Sequence, residues 1–247
     1  MREAVILDYG HTIVDFSLSG RALLEAYGEV RQILVGFAST EAPSAEALLE
    51  RVSRSLARRI DESYGRMELE ELDIIQEFSA CFADINIDLP NELVRKVVEL
   101  EHRALTSEVY LPPDNAAALQ ALRDAGFKLG LVSNMTMLGE LMREDLDRLG
   151  ILDMFDSIVI SSELGVRKPH PRIYQASVEG LSLHGNQAIF VGDRLREDIA
   201  GPQAAGMLGI LTHQFRQDER VEDSPIPDAL ILTLSELPEA AARLRSS

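Results

Sequence analysis

Seven polar residues stand where short apolar runs end or loops begin, and their types suit phosphate and metal chemistry. Asp8 closes the run "AVIL", and Thr12 follows in the next loop. Ser133 and Asn134 come after "KLGLV", Lys168 precedes a proline in "GVRKPHPRIY", and Asp193 and Asp198 lie in "AIFVGDRLREDIAG". Carboxylates drawn together from separate segments repel one another unless a cation sits among them, and oxygen ligands beside a substrate phosphate suit Mg²⁺. A lysine, a hydroxyl and loop N–H groups would complete a cradle for phosphate oxygens. An aspartate held against phosphorus can attack it, giving an aspartyl phosphate that water later cleaves. Singly, each residue has a plainer use: Asp8 ends a strand, Ser133–Asn134 and Asp193–Asp198 cap helices, and Lys168 is solvated. Their ordered arrival at successive strand ends favours the chemical reading, since sites in open parallel sheets form beyond the carboxyl ends of strands.

The elements that must hold these residues are legible from periodicity. Short β-rich runs at 4–7, 128–132, 157–160, 188–191, 208–212 and 229–232 alternate with helix-like stretches at 115–125, 138–149, 171–179 and 198–205. That alternation predicts an α/β fold with an open parallel, Rossmann-like sheet. Residues 17–106 differ, carrying long helical patterns such as "EALLERVSRSLARRIDESY" and no convincing strand. So long a helical stretch directly after the first strand is too long for an ordinary crossover. It predicts an α/β core from 1–16 and 107–247 with an inserted helical subdomain at 17–106. "EVYLPPD" is expected to be the return linker, with Pro112 and Pro113 fixing re-entry.

Composition narrows the function classes. The chain has 247 residues, 46% of them hydrophobic, enough to bury a substantial core. A net charge of −17 repels phosphate backbones and anionic membranes, so neither nucleic acid nor a membrane is an expected partner. One cysteine, Cys81, precludes an intrachain disulfide framework and suits a reducing, cytoplasmic home. The N-terminal residues offer no adequate apolar region and no apolar run is long enough to span a bilayer, so neither export nor membrane spanning is expected. The expected partner is a small phosphorylated molecule, and the chain is expected to be a monomer or homodimer.

Read together, the segments resemble the haloacid dehalogenase-like hydrolase superfamily along nearly the whole chain. Four segments carry the resemblance in order: "ILDYGHTIVD", "LGLVSNMT", "LGVRKPHPRIYQAS" and "AIFVGDRLREDIAGPQAAGM". The resemblance implies Asp8 as nucleophile, Ser133 as phosphate-binding hydroxyl beside Thr12 and Asn134, and Lys168 balancing charge. It implies a Mg²⁺ site made by Asp8, the Gly10 carbonyl, Asp193 and Asp198. It also implies that 17–106 is a helical cap of the C1 type, closing over the site and selecting the substrate. The function implied is Mg²⁺-dependent phosphohydrolysis of a small phosphorylated metabolite.

One departure matters. Phosphatases of that superfamily usually carry Asp-x-Asp, whose second acid protonates the leaving group; here the segment is Asp8-Tyr9-Gly10, followed by His11. General acid–base help is typically worth about 10²–10⁴-fold. His11 could replace it, the substrate could carry a leaving group that needs no proton, or the protein could bind a phospho-ligand with little or no turnover. A 2-haloacid dehalogenase also needs no proton, but the acids in "GDRLRED" point to metal chemistry. Phosphonate cleavage would need a cap lysine, and Lys96 alone is available there. The arginines of 17–106 are expected mostly to pair with glutamates on helix surfaces.

Overall fold

The computed structural model describes residues 1–17, 19–38, 42–218 and 223–246. Four consecutive apolar residues with no polar alternation suit a strand buried on both faces, and β1 (Ala4–Leu7) is one, wholly shielded from solvent. The other strands are β2 (Asp15–Phe16), β3 (Val109–Tyr110), β4 (Lys128–Ser133), β5 (Ser157–Ile160), β6 (Ala188–Gly192), β7 (Leu208–Thr212) and β8 (Ala229–Ile231). Six of them form one parallel sheet in the order β5-β4-β1-β6-β7-β8. The strands expected from the sequence are all present, each within one residue of its expected bounds.

Alternation along β1 divides the core between two layers. Val5 and Leu7 face one apolar cluster with Leu119 and Leu122 of helix Pro113–Asp124 and Met142 and Leu146 of helix Gly139–Arg148. Ala4 and Ile6 face the other, with Ile173, Tyr174 and Val178 of helix Pro171–Gly180. The chain leaves β1 for β4 and β5 on one side and returns to β6, β7 and β8 on the other. The strand order therefore reverses at β1, where open α/β sheets form their ligand crevice.

Between β2 and β3 the described residues are helical: Gly20–Ala38, Ala45–Leu48 continuing through a wide turn into Arg54–Gly65, Ile74–Ala83 and Asn91–Leu105. Their only β pairing outside named strands is a bridge from Glu70 to Val166. They enclose an apolar cluster of their own, built on Tyr27, Leu48, Phe78, Phe82 and Val97, which Leu141 of the neighbouring helix joins. The expected return linker is more ordered than anticipated. β3 pairs antiparallel with β2, so the two chain crossings form a short ribbon, and Pro113 opens the next helix at a position where its missing N–H costs nothing. Among the described residues no helix is long and apolar enough to cross a membrane.

Several arginines of this helical segment pair as expected: Arg21 with Glu25, Arg54 with Glu50, Arg59 with Glu77 and Asp84, and Arg66 with Glu68. Among its buried acids is Glu101, 3% exposed, which accepts hydrogen bonds from the Tyr27 hydroxyl and, at 3.0 Å, from Ser53 Oγ. Burial holds the Glu101 carboxyl above the ordinary glutamate range, outweighing the two hydrogen bonds that lower it. The folded state therefore keeps a proton that the unfolded chain has released. Stability from this group is full at low pH and is lost as pH climbs above the ordinary glutamate value. Glu101→Gln has no charge to bury, so its melting temperature relative to wild type should rise by a few degrees between about pH 4 and pH 8. A difference between the two proteins that stays constant over that range, in parallel calorimetric scans, would refute this account.

Candidate active site

Asp8 is the first residue past β1, and its backbone N–H still bonds Val191 O on β6 at 2.9 Å. Its side chain is thus fixed at the centre of the sheet's carboxyl edge. Asp193 follows β6 directly, and Asp198 enters from the wide helical turn Leu195–Ala200. A side chain at Gly192 would strike the Asp198 carboxyl, so glycine is what lets this turn close on the strand. One carboxylate oxygen from each of Asp8, Asp193 and Asp198 lies within 4.8 Å of the others, and all three residues are buried.

Lys168 reaches into the same cluster. Its Nζ donates to Asp8 Oδ1 at 2.6 Å and to Asp198 Oδ1 at 2.7 Å. The lysine is positioned through its backbone: Asn134 Oδ1 accepts from Lys168 N at 2.7 Å, and Asn134 Nδ2 donates to Lys168 O at 3.1 Å. The structure thus turns Asn134 toward Lys168. Thr12 is likewise turned inward, donating from Oγ1 to Asp8 Oδ2 at 3.2 Å and wholly buried. Both were expected as phosphate contacts; in this structure their side chains bond the nucleophile candidate and its lysine. Ser133, at the end of β4, lines the cavity beside Asp8.

The electrostatics follow from burial. Burial alone would lower the Lys168 pKa, but Asp198 and Asp8 outweigh it and hold the ammonium charged above the ordinary lysine range. Asp193 is pushed up to about 7, first by burial and then by the charges of Asp8 and Asp198. Asp198 is also raised: burial leads, Lys168 opposes it, and Asp8 adds to it. Asp193 Oδ2 is buried without a hydrogen bond of good geometry and meets the Arg216 guanidinium in an ion pair. Of three converging carboxylates, two share Lys168, and the third has an oxygen that lacks a hydrogen-bond donor. That donor set fits a hard divalent cation.

A cavity of about 490 Å³ opens over this cluster. Gly10 lines it, yet a Cβ there would lie 2.7 Å from Phe16 Cε2 on β2, so the Phe16 ring fills the space beside position 10. Phe16 also packs edge-on against Tyr9 and His11, with ring centroids 6.0 and 5.6 Å away. His11 lines the same cavity at a left-handed φ of 57°, with Nδ1 3.1 Å from Asp15 Oδ1. His170, by contrast, caps helix Pro171–Gly180, accepting from Arg172 N.

Sequence reasoning missed Tyr9, His102, Thr106, Asp145 and Arg216, which also line the cavity. Asp145 Oδ2 lies 2.8 Å from His102 Nε2, and Asp145 Oδ1 accepts from Thr106 Oγ1 at 3.2 Å and Arg148 at 2.9 Å. The Tyr9 hydroxyl is buried with no hydrogen-bond partner, and its pKa is raised, first by burial and then by Asp145. No spacing in the chain links these residues, which come from a loop, two helices and a distant segment.

Residues 3–206 match the model of the haloacid dehalogenase-like hydrolases. A glyceraldehyde 3-phosphate phosphatase of Methanopyrus kandleri is 30% identical over 216 residues, spanning 81% of this chain and 91% of that protein. A protein of the same name from Pyrococcus furiosus is 29% identical, spanning 72% of this chain and 77% of its own length. Among solved structures, a 2-haloacid dehalogenase from Pseudomonas syringae pv. Tomato DC3000 aligns with a TM-score of 0.70 at 23% identity, covering 99% of this chain and 100% of that one. A HAD phosphatase from Thermococcus onnurineus aligns with a TM-score of 0.61 at 24% identity, covering 96% and 97%. At those identities the structures speak for the shared fold alone. With the family model spanning most of its length, the chain belongs to the haloacid dehalogenase-like hydrolases.

Proposed function

We propose that the protein is a Mg²⁺-dependent phosphatase of a small phosphorylated metabolite, working through an aspartyl phosphate on Asp8. The observation that carries this reading is the buried convergence of Asp8, Asp193 and Asp198 with Lys168 bonded to two of them. The relatives named as glyceraldehyde 3-phosphate phosphatases support a phosphomonoester of about that size. A reducing cytoplasm, as the single cysteine suggests, is the proposed setting.

Asp8, Asp193, Asp198 and the Gly10 carbonyl would hold the metal, which when bound supplies positive charge against the phosphoryl oxygens. Lys168 adds a second, fixed positive charge, and Ser133 a hydroxyl donor. Thr12 and Lys168 orient the Asp8 carboxylate, and Asn134 keeps Lys168 in position. One Asp8 oxygen bonds to phosphorus as the bond from phosphorus to the leaving oxygen breaks. Water then attacks that phosphorus, its proton passes to solvent, and phosphate departs as the Asp8 carboxylate is restored. Nothing at position 10 protonates the leaving oxygen. Good leaving groups are therefore favoured, and His11, bonded to Asp15, lies beside Gly10 on the cavity wall.

Three outcomes test this reading. Asp8→Asn should reduce Mg²⁺-dependent phosphate release from an aryl phosphate by about a thousandfold or more; equal release by both proteins would eliminate covalent catalysis at Asp8. Because Phe16 fills the space, Gly10→Asp alone should lose activity. Gly10→Asp combined with Phe16→Ala should raise alkyl phosphate turnover about tenfold or more over Phe16→Ala alone. No gain on alkyl over aryl substrates would count against a missing acid. Finally, Asp193 must shed a proton held up to about pH 7 before it can bind a cation. Saturating Mg²⁺ at about a hundred times Kd is worth about 2.7 kcal/mol, or about 5–10 °C for a domain of this size. That shift should be larger at about pH 8 than at about pH 5 and absent in Asp193→Asn; an equal shift in Asp193→Asn would sink the metal assignment.

A further inference from the structure

The loops on the phosphate side of the site converge on a buried carboxylate that has no place in the cavity wall. Glu71 stands between helices Arg54–Gly65 and Ile74–Ala83, its side chain is 1% exposed, and it is outside the cavity lining. Its Oε1 accepts from Arg167 Nη2 at 2.9 Å and from Thr136 Oγ1 at 3.0 Å, and its Oε2 accepts from Ser161 Oγ at 2.5 Å. Ser161 Oγ in turn accepts from Met135 N at 2.8 Å. These partners are chain neighbours of the residues that fix the lysine. Arg167 precedes Lys168, and Met135 and Thr136 follow Asn134, whose amide bonds the N–H and the carbonyl of Lys168 at 2.7 and 3.1 Å. The bonds close a ring. It runs from Glu71 to Arg167, along the chain to Lys168, across to Asn134, along the chain to Thr136 and back to Glu71.

Charge explains why an acid stands where the ring closes. The Arg167 guanidinium is permanently charged and shut away from water, so it needs a buried counter-charge. Glu71 supplies it, while Ser63 Oγ accepts from Arg167 Nη1 at 3.0 Å. Arg167 N donates to Leu69 O at 2.8 Å and Glu71 N to Gly165 O at 3.1 Å, so the two backbones are joined on either side of the ion pair. Lys168 Nζ must meet two carboxylate oxygens at once, at 2.6 and 2.7 Å, which leaves its backbone little freedom. Misplacing such a group by about 1 Å can cost about a hundredfold in rate. We infer that Glu71 is a positioning residue for phosphoryl transfer, holding the Lys168 and Asn134 loops in register through Arg167 and Thr136 without touching substrate or metal. This rests on the phosphatase reading for what Lys168 does in turnover; that Glu71 holds Lys168 in place is independent of it.

The chain has three lysines, Lys96, Lys128 and Lys168, so acylation followed by peptide mapping reads Lys168 directly, with the exposed Lys96 as internal standard. Glu71→Gln keeps the shape and leaves the Arg167 charge unmatched. Glu71→Met with Arg167→Met removes both charges together, which separates positioning from stability, since an apolar replacement of a buried pair is often neutral. Both variants should raise the labelling of Lys168 relative to Lys96 about tenfold or more. They should also lower kcat for an aryl phosphate about tenfold to a hundredfold, with KM changed less than about threefold. Thr136→Val keeps the ion pair and opens the ring at one bond, so it should move both readings in the same direction by about threefold; it decides the matter if the charge variants do not fold. Lys168 labelling that stays at the wild-type level, or a kcat that the folded variants retain in a protein with Asp8-dependent turnover, would overturn the inference. A wild type without Asp8-dependent turnover means instead that the phosphatase reading has failed. The labelling ratio, which needs no catalysis, then decides alone whether Glu71 holds Lys168.

Discussion

Much of this molecule is arranged around one electrostatic imbalance: three buried carboxylates meet a single ammonium. Desolvating a charge is costly unless it is paired and hydrogen-bonded. Lys168 meets that cost for Asp8 and Asp198, at 2.6 and 2.7 Å, and leaves Asp193 to an ion pair with Arg216. The raised pKa of Asp193, about 7, expresses what remains uncompensated. A fold that keeps such a cluster needs rigid support. It has it in a central strand shielded on both faces, in the glycine that lets Asp198 approach β6, and in an asparagine whose amide is spent on the lysine backbone.

The same support ties the helical segment to the site. Arg167, immediately before Lys168, is 1% exposed and pairs with Glu71 at 2.9 Å, while its backbone N–H bonds Leu69 O at 2.8 Å. Glu71 in turn accepts from Thr136 and Ser161 and donates its N–H to Gly165 O. Arg167 also lies over the Tyr64 ring, 4.2 Å from its centroid. A buried pair of this kind adds little net stability, but removing either partner strands a charge. Its effect is to fix where the segment around Glu71 meets the loop that carries Lys168. The segment around Glu71 and the loop that carries Lys168 thus share one anchor.

The strands and the acids were legible because their signals are local. β1, β4 and β6 are buried on both faces and read as unbroken apolar runs, and Asp8 and Asp193 lie directly at their ends. The ribbon of β2 and β3 was not legible, since two-residue strands have no period to detect and their pairing joins distant positions. Thr12 and Asn134 were recognised as belonging to the site, but what their side chains face depends on atoms from elsewhere in the chain. His102 and Asp145 meet across 43 positions, on two helices whose sequence patterns explain them equally well as packing or surface residues.

The glycine at position 10 carries a similar lesson about what a sequence leaves unsaid. Taken alone, Asp8-Tyr9-Gly10 reads as a subtraction, an acid deleted from a site otherwise intact. The structure instead has Phe16 pressed into the space a side chain would need, 2.7 Å from where a Cβ would stand. Phe16 belongs to β2, which pairs with β3 at the chain crossings, and its ring packs on Tyr9 and His11. The absence of the acid is therefore coupled to the ribbon that leads into and out of the helical segment. It is a local architecture in its own right, and restoring the acid means remodelling the neighbour as well. On the proposed phosphatase reading, the leaving oxygen would have to depart unaided or find its proton elsewhere on the cavity wall.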